Sequence, residues 1–198
     1  MIRAVFFDFY SVWTPDKIAY YVARAELQGP ALYKELYDAS EQYYQGNMSL
    51  DDFTGTLRYK LGATDIEQNT FKVGSSSISP EITKFMQGLH GHFVKVGILG
   101  NLGPLEYEVL KDFNDKNMII EVIASPYSLG LKMPLLSKEI FDKTLEAIGE
   151  TADSCLYVSG NPYNLSFARV LGLATKQFVG LEELITELDS LFNQNSQN

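Results

Sequence analysis

The segment Met1-Ile-Arg-Ala-Val-Phe-Phe-Asp-Phe-Tyr-Ser-Val12 sets an apolar, β-branched and aromatic run directly before an aspartate. Ile2 to Phe7 reads as a strand buried on both faces, because its hydrophobicity is continuous rather than alternating. The run stops at Asp8, where the strand meets its loop. In open α/β sheets, ligands bind beyond the carboxyl ends of the strands, so an acid placed there is a candidate functional group. The competing reading is an aspartate that merely caps a turn.

Working outward, Thr14-Pro15-Asp16 is a helix start, with a capping hydroxyl and proline in the first turn. Residues 16–28, 30–45 and 49–61 read as helices, separated at Gly29-Pro30 and Gly46-Asn47, with Ser49 capping the third. Gly74-Ser75-Ser76-Ser77 reads as a linker. Beyond it, helix and strand alternate: helix from Ser79 to Leu89, strand 94–99, helix 104–113, strand 119–123, helix 137–148, strand 155–159, helix 162–171, strand 174–178 and helix 181–192. Alternation at these lengths requires βαβ crossovers. The expected fold is α/β, a Rossmann-like doubly wound parallel sheet from residues 1–13 and 78–198, with a helical insertion at 14–77.

The bulk properties narrow the function. A chain of 198 residues forms one domain or one domain with a modest insertion. Its formal charge of -9 argues against nucleic acid or an anionic membrane surface as partner. The single Cys155 leaves no internal disulfide and suits a reducing compartment. No apolar run reaches the roughly 20 residues that span a bilayer, and no charged, apolar signal segment opens the sequence. A cytoplasmic protein is expected.

In this topology the loops after Phe7, Leu99, Ile123 and Val158 converge at one sheet edge. There the sequence resembles the haloacid dehalogenase (HAD) superfamily. Its first motif is a hydrophobic strand, a nucleophilic Asp, one residue, a second Asp, then Gly and Thr or Val. Asp8 matches, while Tyr10 stands at the second Asp and Ser11 at the Gly. Tyr44-Gln-Gly-Asn-Met-Ser-Leu-Asp-Asp-Phe53 is similar to the superfamily's helical cap, and Ile140-Phe141 with Leu145 and Gly149 to the helix after its lysine motif. The resemblance implies a nucleophilic role for Asp8, with magnesium beside it in members that cleave phosphate. The Asp-Phe-Tyr spacing is closer to the 2-haloacid dehalogenases, which displace halide from carbon and need neither metal nor second acid.

The other loops depart from the pattern. Gly100 stands where the superfamily places Ser or Thr, leaving only its backbone N–H to bind substrate; Asn101 fits the usual Ser-Asn pair. Gly100-Asn101 reads equally as a turn. Gly130-Leu131-Lys132-Met133-Pro134 sets Met133 at the superfamily's lysine, with Lys132 one step away and Lys138 further on. Lys132 is the candidate charge stabiliser, against a plain solvated lysine. Ser159-Gly160-Asn161-Pro162-Tyr163-Asn164 carries no carboxylate. Beside Asp8 alone, neutral Ser159, Asn161 and Asn164 make a poor magnesium site, so no cofactor is assigned. Ser159 and Asn161 match the dehalogenase loop, whose water-activating Asp corresponds to Asn164. An amide is no base at neutral pH.

Arg24 and Arg58 read as surface residues, the insertion's tyrosines as core or as the wall of a pocket, His90 and His92 as a pair short of metal ligands, and Cys155 as a core residue. Two functions follow. One is a HAD-like protein with eroded catalytic loops, weak or absent phosphatase activity, and a cleft under the cap that binds a small molecule or a protein. The alternative is a metal-independent hydrolase using Asp8 as covalent nucleophile. The candidate catalytic residues are Asp8, Tyr10, Asn101 and Lys132, and the candidate substrate-binding residues are Gly100, Ser159, Asn161 and Asn164.

Overall fold

The computed structural model describes residues 1–63, 66–67, 69–73, 79–131 and 137–195. The expected linker at 74–77 and Lys132 lie outside the described residues. Five strands, β1 Ala4–Phe7, β2 Lys95–Leu99, β3 Val122–Ala124, β4 Cys155–Ser159 and β5 Ala174–Gln177, form one sheet in the order β3-β2-β1-β4-β5. Every adjacent pair runs parallel. The strand order reverses between β1 and β4, so the crevice of this doubly wound sheet opens at the end of β1, beside Asp8.

Both faces of the sheet are covered, which explains the unbroken hydrophobicity of β1. Val5 and Phe7 face one core with Val96, Ile98 and Val158, covered by Met86 and Leu89 of helix α5 (Pro80–Gly91), Leu110 of α6 (Pro104–Asn117) and Leu184 and Leu188 of α9 (Leu181–Asn195). Ala4 and Phe6 face the other with Tyr157, closed by Ile140 and Phe141 of α7 (Lys138–Ile148) and Leu165 and Ala168 of α8 (Pro162–Val170). Between β1 and β2 come a four-residue helix α1 (Phe9–Val12), then α2 (Lys17–Glu26), α3 (Pro30–Tyr44) and α4 (Leu50–Leu61). These helices join the first core through Ile18, Val22, Leu36, Tyr43, Phe53 and Leu57. No described helix is long and apolar enough to cross a membrane.

The expected elements are present with shifted ends. The largest shifts flank one loop: α6 ends at Asn117 rather than at residue 113, and β3 begins at Val122 rather than at residue 119. Asn114 explains both. Its Oδ1 accepts from the backbone N–H groups of Ile119 and Ile120, and its Nδ2 donates to the Ile120 carbonyl. The side chain thus satisfies backbone groups that a strand would have paired, and α6 runs on to Asn117. The helical turn α1 was not expected; it forms because the Asp8 carbonyl accepts from Val12 N–H directly after the strand.

Candidate active site

Asp8 is 5% exposed and caps the start of α1, with the end of β4 alongside. Its Oδ2 accepts three side-chain hydrogen bonds: from Ser159 at 2.6 Å, Ser11 at 3.0 Å and Asn164 at 3.2 Å. The Tyr10 backbone N–H lies beside the carboxylate. The donors are themselves held. Ser159 Oγ accepts from the Asn161 N–H at 3.0 Å, and Ser11 Oγ accepts from the Gly160 N–H at 2.8 Å. Asn161 caps α8, its side chain accepting from Tyr163 N–H. Burial pushes the Asp8 carboxyl pKa upward, and the bonds from Ser159, Ser11 and Asn164 and the nearby Tyr10 N–H offset part of that rise.

The structure brings Asp8, Ser159, Asn164 and Asn161 together, with Gly100 on the other side of the carboxylate. A Cβ at Gly100 would lie 3.0 Å from Asp8 Oδ1, so glycine here lets the acid sit tight against β2. The Gly100 N–H, expected as a donor to substrate, is already given to the Ala124 carbonyl at 3.2 Å. β2 ends at Leu99 as expected, and the Gly100 bond to the end of β3 follows directly after it. Tyr10 differs more: its side chain turns away from Asp8 and is buried against Glu106, Tyr43 and Tyr44. The helical turn of α1 rotates alternate side chains away from the strand end, so Tyr10 cannot hand a proton to a group bound at Asp8. Lys138 is paired with Asp142 at 2.6 Å on the exposed side of α7.

Glu106 forms a second buried polar centre, 0% exposed. Its Oε2 accepts from Tyr43 Oη at 2.7 Å and from the Gly103 N–H at 3.0 Å, and Tyr10 also lies in hydrogen-bonding reach. Burial raises its pKa; the bonds from Tyr43 and Tyr10 lower it in part. Gly103 is required by this contact, since a Cβ would come within 2.5 Å of the Tyr43 ring. The sequence reading missed Glu106, Tyr43 and Ser11. A glutamate in the first turn of a helix after Gly-Pro is the one local signal for Glu106.

A cavity of about 690 Å³ lies against this edge. One wall comes from α2 and α3, including Ile18, Val22, Tyr33, Tyr37, Glu41 and Tyr44, and the other is Asn101, Asn161, Tyr163 and Asn164. Asn164 belongs to both the cavity wall and the Asp8 shell, so Asp8 sits one side chain behind the cavity. The insertion's tyrosines divide: Tyr43 is core, Tyr33 and Tyr37 are part-exposed wall, and Tyr44 is buried at 3% exposure yet borders the cavity. Arg24 lies over Tyr20 and Tyr21, and Arg58 Nε donates to the Ile66 carbonyl. His90 pairs with Glu121 at the amino edge of the sheet. Cys155 is buried at the start of β4, its thiol pushed up to about 11 by burial.

The donor set does not suit a magnesium ion. Oδ2 of Asp8 is covered by three donors whose hydrogens face the carboxylate, and its neighbours at 159, 161 and 164 are neutral. Among the described residues no group of three or more His, Cys, Asp or Glu side chains could hold a metal.

No protein-family model matches the sequence, and no curated protein sequence matches it. Solved structures do. A predicted HAD-like family hydrolase from Porphyromonas gingivalis superposes with a TM-score of 0.60 at 18% identity, over 95% of this chain and 98% of the other. A HAD family enzyme from Bacteroides thetaiotaomicron, solved with magnesium and inorganic phosphate, gives 0.58 at 16% identity, over 89% and 94%. L-2-haloacid dehalogenase from Xanthobacter autotrophicus, with chloropropionic acid covalently bound, gives 0.56 at 18% identity, over 96% and 83%. The chain shares its fold, a five-stranded parallel sheet flanked by helices, with these HAD-family structures.

Proposed function

We propose that this protein uses the HAD-like fold to bind a small molecule beside Asp8, with little or no phosphatase activity, and that residues 14–77 act as its cap. The observation that carries the reading is the Asp8 shell. Every side chain hydrogen-bonded to the carboxylate is neutral, and all three donate to Oδ2, which leaves at most Oδ1 for a metal ion. Burial raises the pKa of this carboxyl and the donors offset part of the rise; an Oδ2 already accepting three hydrogen bonds is a weaker nucleophile and a weaker metal ligand. The adjoining cavity, walled by tyrosines and asparagine amides, suits recognition of a ligand by shape and hydrogen bonds.

A second reading has its own support. The 2-haloacid dehalogenase chemistry needs a carboxylate with one oxygen held and no metal. Here Oδ2 is the held oxygen, and Oδ1 lies toward side-chain-free Gly100. In that reaction Asp8 would attack carbon, halide would leave, and water would cleave the resulting ester. Asn164 stands where a base would be needed for the last step, so the ester would accumulate rather than turn over.

A screen of phosphate monoesters and 2-haloacids, with and without magnesium, on wild type and Asp8→Asn separates the readings. Absence of turnover together with ligand-induced thermal stabilisation supports the binding role. Magnesium-dependent phosphatase turnover abolished by Asp8→Asn overturns it. A covalent adduct on Asp8, seen as a mass increase after 2-haloacid treatment, establishes the second.

A further inference from the structure

We infer that the cavity between α3 and α8 takes a small organic cation, an alkyl or quaternary ammonium group seated between Glu41 and the faces of Tyr33 and Tyr37. This rests on the ligand-binding reading above and names the ligand's chemistry.

Four observations carry it. Tyr33, Tyr37, Glu41 and Tyr44 recur at spacings of four, four and three along α3, which places them on one helical face. The Tyr33 and Tyr37 rings lie 6.0 Å apart, tilted by 33°, so both faces can be presented to one guest. Ring faces attract cations through their quadrupole, most strongly where water is thin.

Glu41 supplies the charge. Its Oε1 is buried and has no hydrogen-bond partner, and Tyr44 Oη, bordering the same cavity at 3% exposure, has none either. Unpaired buried polar atoms are costly, and two of them on one cavity point to a guest that supplies the missing partner. Burial, partly offset by the bond from Tyr37, raises the Glu41 pKa; a cation in the cavity would reverse that shift.

The lining carries no Lys, Arg or His among the described residues, while Asp8 lies directly behind Asn164. Asp8, Asp16 and Glu106 lie close together behind the cavity, so among the described residues the ionisable groups there are acids and none is a base. An anion such as phosphate or a 2-haloacid meets those acids unfavourably. A cation is drawn in.

The test is calorimetric titration of the full chain with choline and n-butylammonium, at fixed ionic strength in sodium buffer. It is set against the uncharged isostere 3,3-dimethylbutanol and against inorganic phosphate and 2-chloropropionate. An ammonium compound should bind at least about tenfold more tightly than its isostere. Glu41→Gln should weaken it by about tenfold and Tyr37→Leu by several-fold, with circular dichroism and melting temperature unchanged within a few degrees. Equal affinity for the isostere, or no effect of Glu41→Gln, overturns the inference. Binding of an anion alone also overturns it, yet leaves the ligand-binding reading standing provided Asn161→Ala abolishes that binding. No binding by any of the probes sinks the cation. Only magnesium-dependent turnover through Asp8 sinks the binding role itself.

Discussion

Ser159 donates to Asp8 at 2.6 Å across 151 positions of sequence, while its own oxygen accepts the Asn161 N–H. A single hydroxyl therefore ties the end of β4 to the end of β1 and fixes the first residue before α8. Removing it leaves the buried carboxylate with Ser11 and Asn164 and leaves one backbone N–H without its acceptor. Ser159→Ala should destabilise the fold by about 1–3 kcal/mol, the range for losing a hydrogen bond to a buried charged group. Urea denaturation measures this; an unchanged midpoint would show that the hydroxyl is not a structural tie.

Asn164 donates its amide proton to Asp8, where an aspartate would instead offer a second carboxylate. Asn164→Asp replaces a donor 3.2 Å from Asp8 with a second acid. Two carboxylates at that distance repel, so the metal-free variant should melt several degrees below wild type. Millimolar magnesium should restore most of the loss in the variant and leave wild type unmoved. A wild-type melting temperature that rises with magnesium would contradict the donor-set argument.

Acid groups with raised pKa values give this protein an unusual pH response. Burial pushes Asp16 up to about 6, and it also raises Asp8 and Glu106. Where the folded pKa exceeds the unfolded value near 3.9, the folded chain binds more protons, so stability falls as pH rises through the interval. For Asp16 that interval runs from about 4 to about 6. Asp16→Asn retains an acceptor for the Ala19 N–H and has no charge to desolvate. Scanning calorimetry across this interval should show the wild-type melting temperature dropping with pH and the variant's dropping less. Parallel curves would refute the assignment.

Gly103→Ala tests the contact between α6 and α3. The backbone at Gly103 is extended, so alanine fits locally, but its Cβ would meet the Tyr43 ring at 2.5 Å. Overpacking of this kind costs about 1–3 kcal/mol. Tyr43→Leu in the same chain removes the opposing ring, so the two losses should fall short of additive in a double-mutant cycle. Additive losses would mean that the residues do not share one contact.

The fold was legible because its signals are local and repetitive. The unbroken run before Asp8, the βα alternation after residue 79 and the Ser49 and Ser79 helix starts read correctly from neighbouring residues, whereas the cap expected at Thr14 is supplied by Asp16, with Pro15 outside the helix. Asp8, Ser159 and Asn164 were also legible, because strand ends at one sheet edge converge by topology. Tyr10 and Gly100 misled for a common reason. Their roles depend on whether the chain stays extended or turns helical over one or two residues, and that is settled by distant partners, Ala124 for Gly100 and Glu106 for Tyr10. Glu106 itself looks like an ordinary first-turn acid. Only the packing of α3 against α6 makes it a buried junction.

That junction has a mechanical consequence. Glu106 is bonded to Tyr43 at the far end of α3 and to the start of its own helix, with Tyr10 beside it. Tilting α3 away at that end would strand an acid whose other oxygen already has no partner. The opposite end, near Tyr33, carries part-exposed rings, and there Glu35 is ion-paired with Lys60 of α4 on the surface at 2.6 Å. The helix is therefore tied by a buried acid at its Tyr43 end and by a surface ion pair at its Tyr33 end, where part-exposed rings border the cavity.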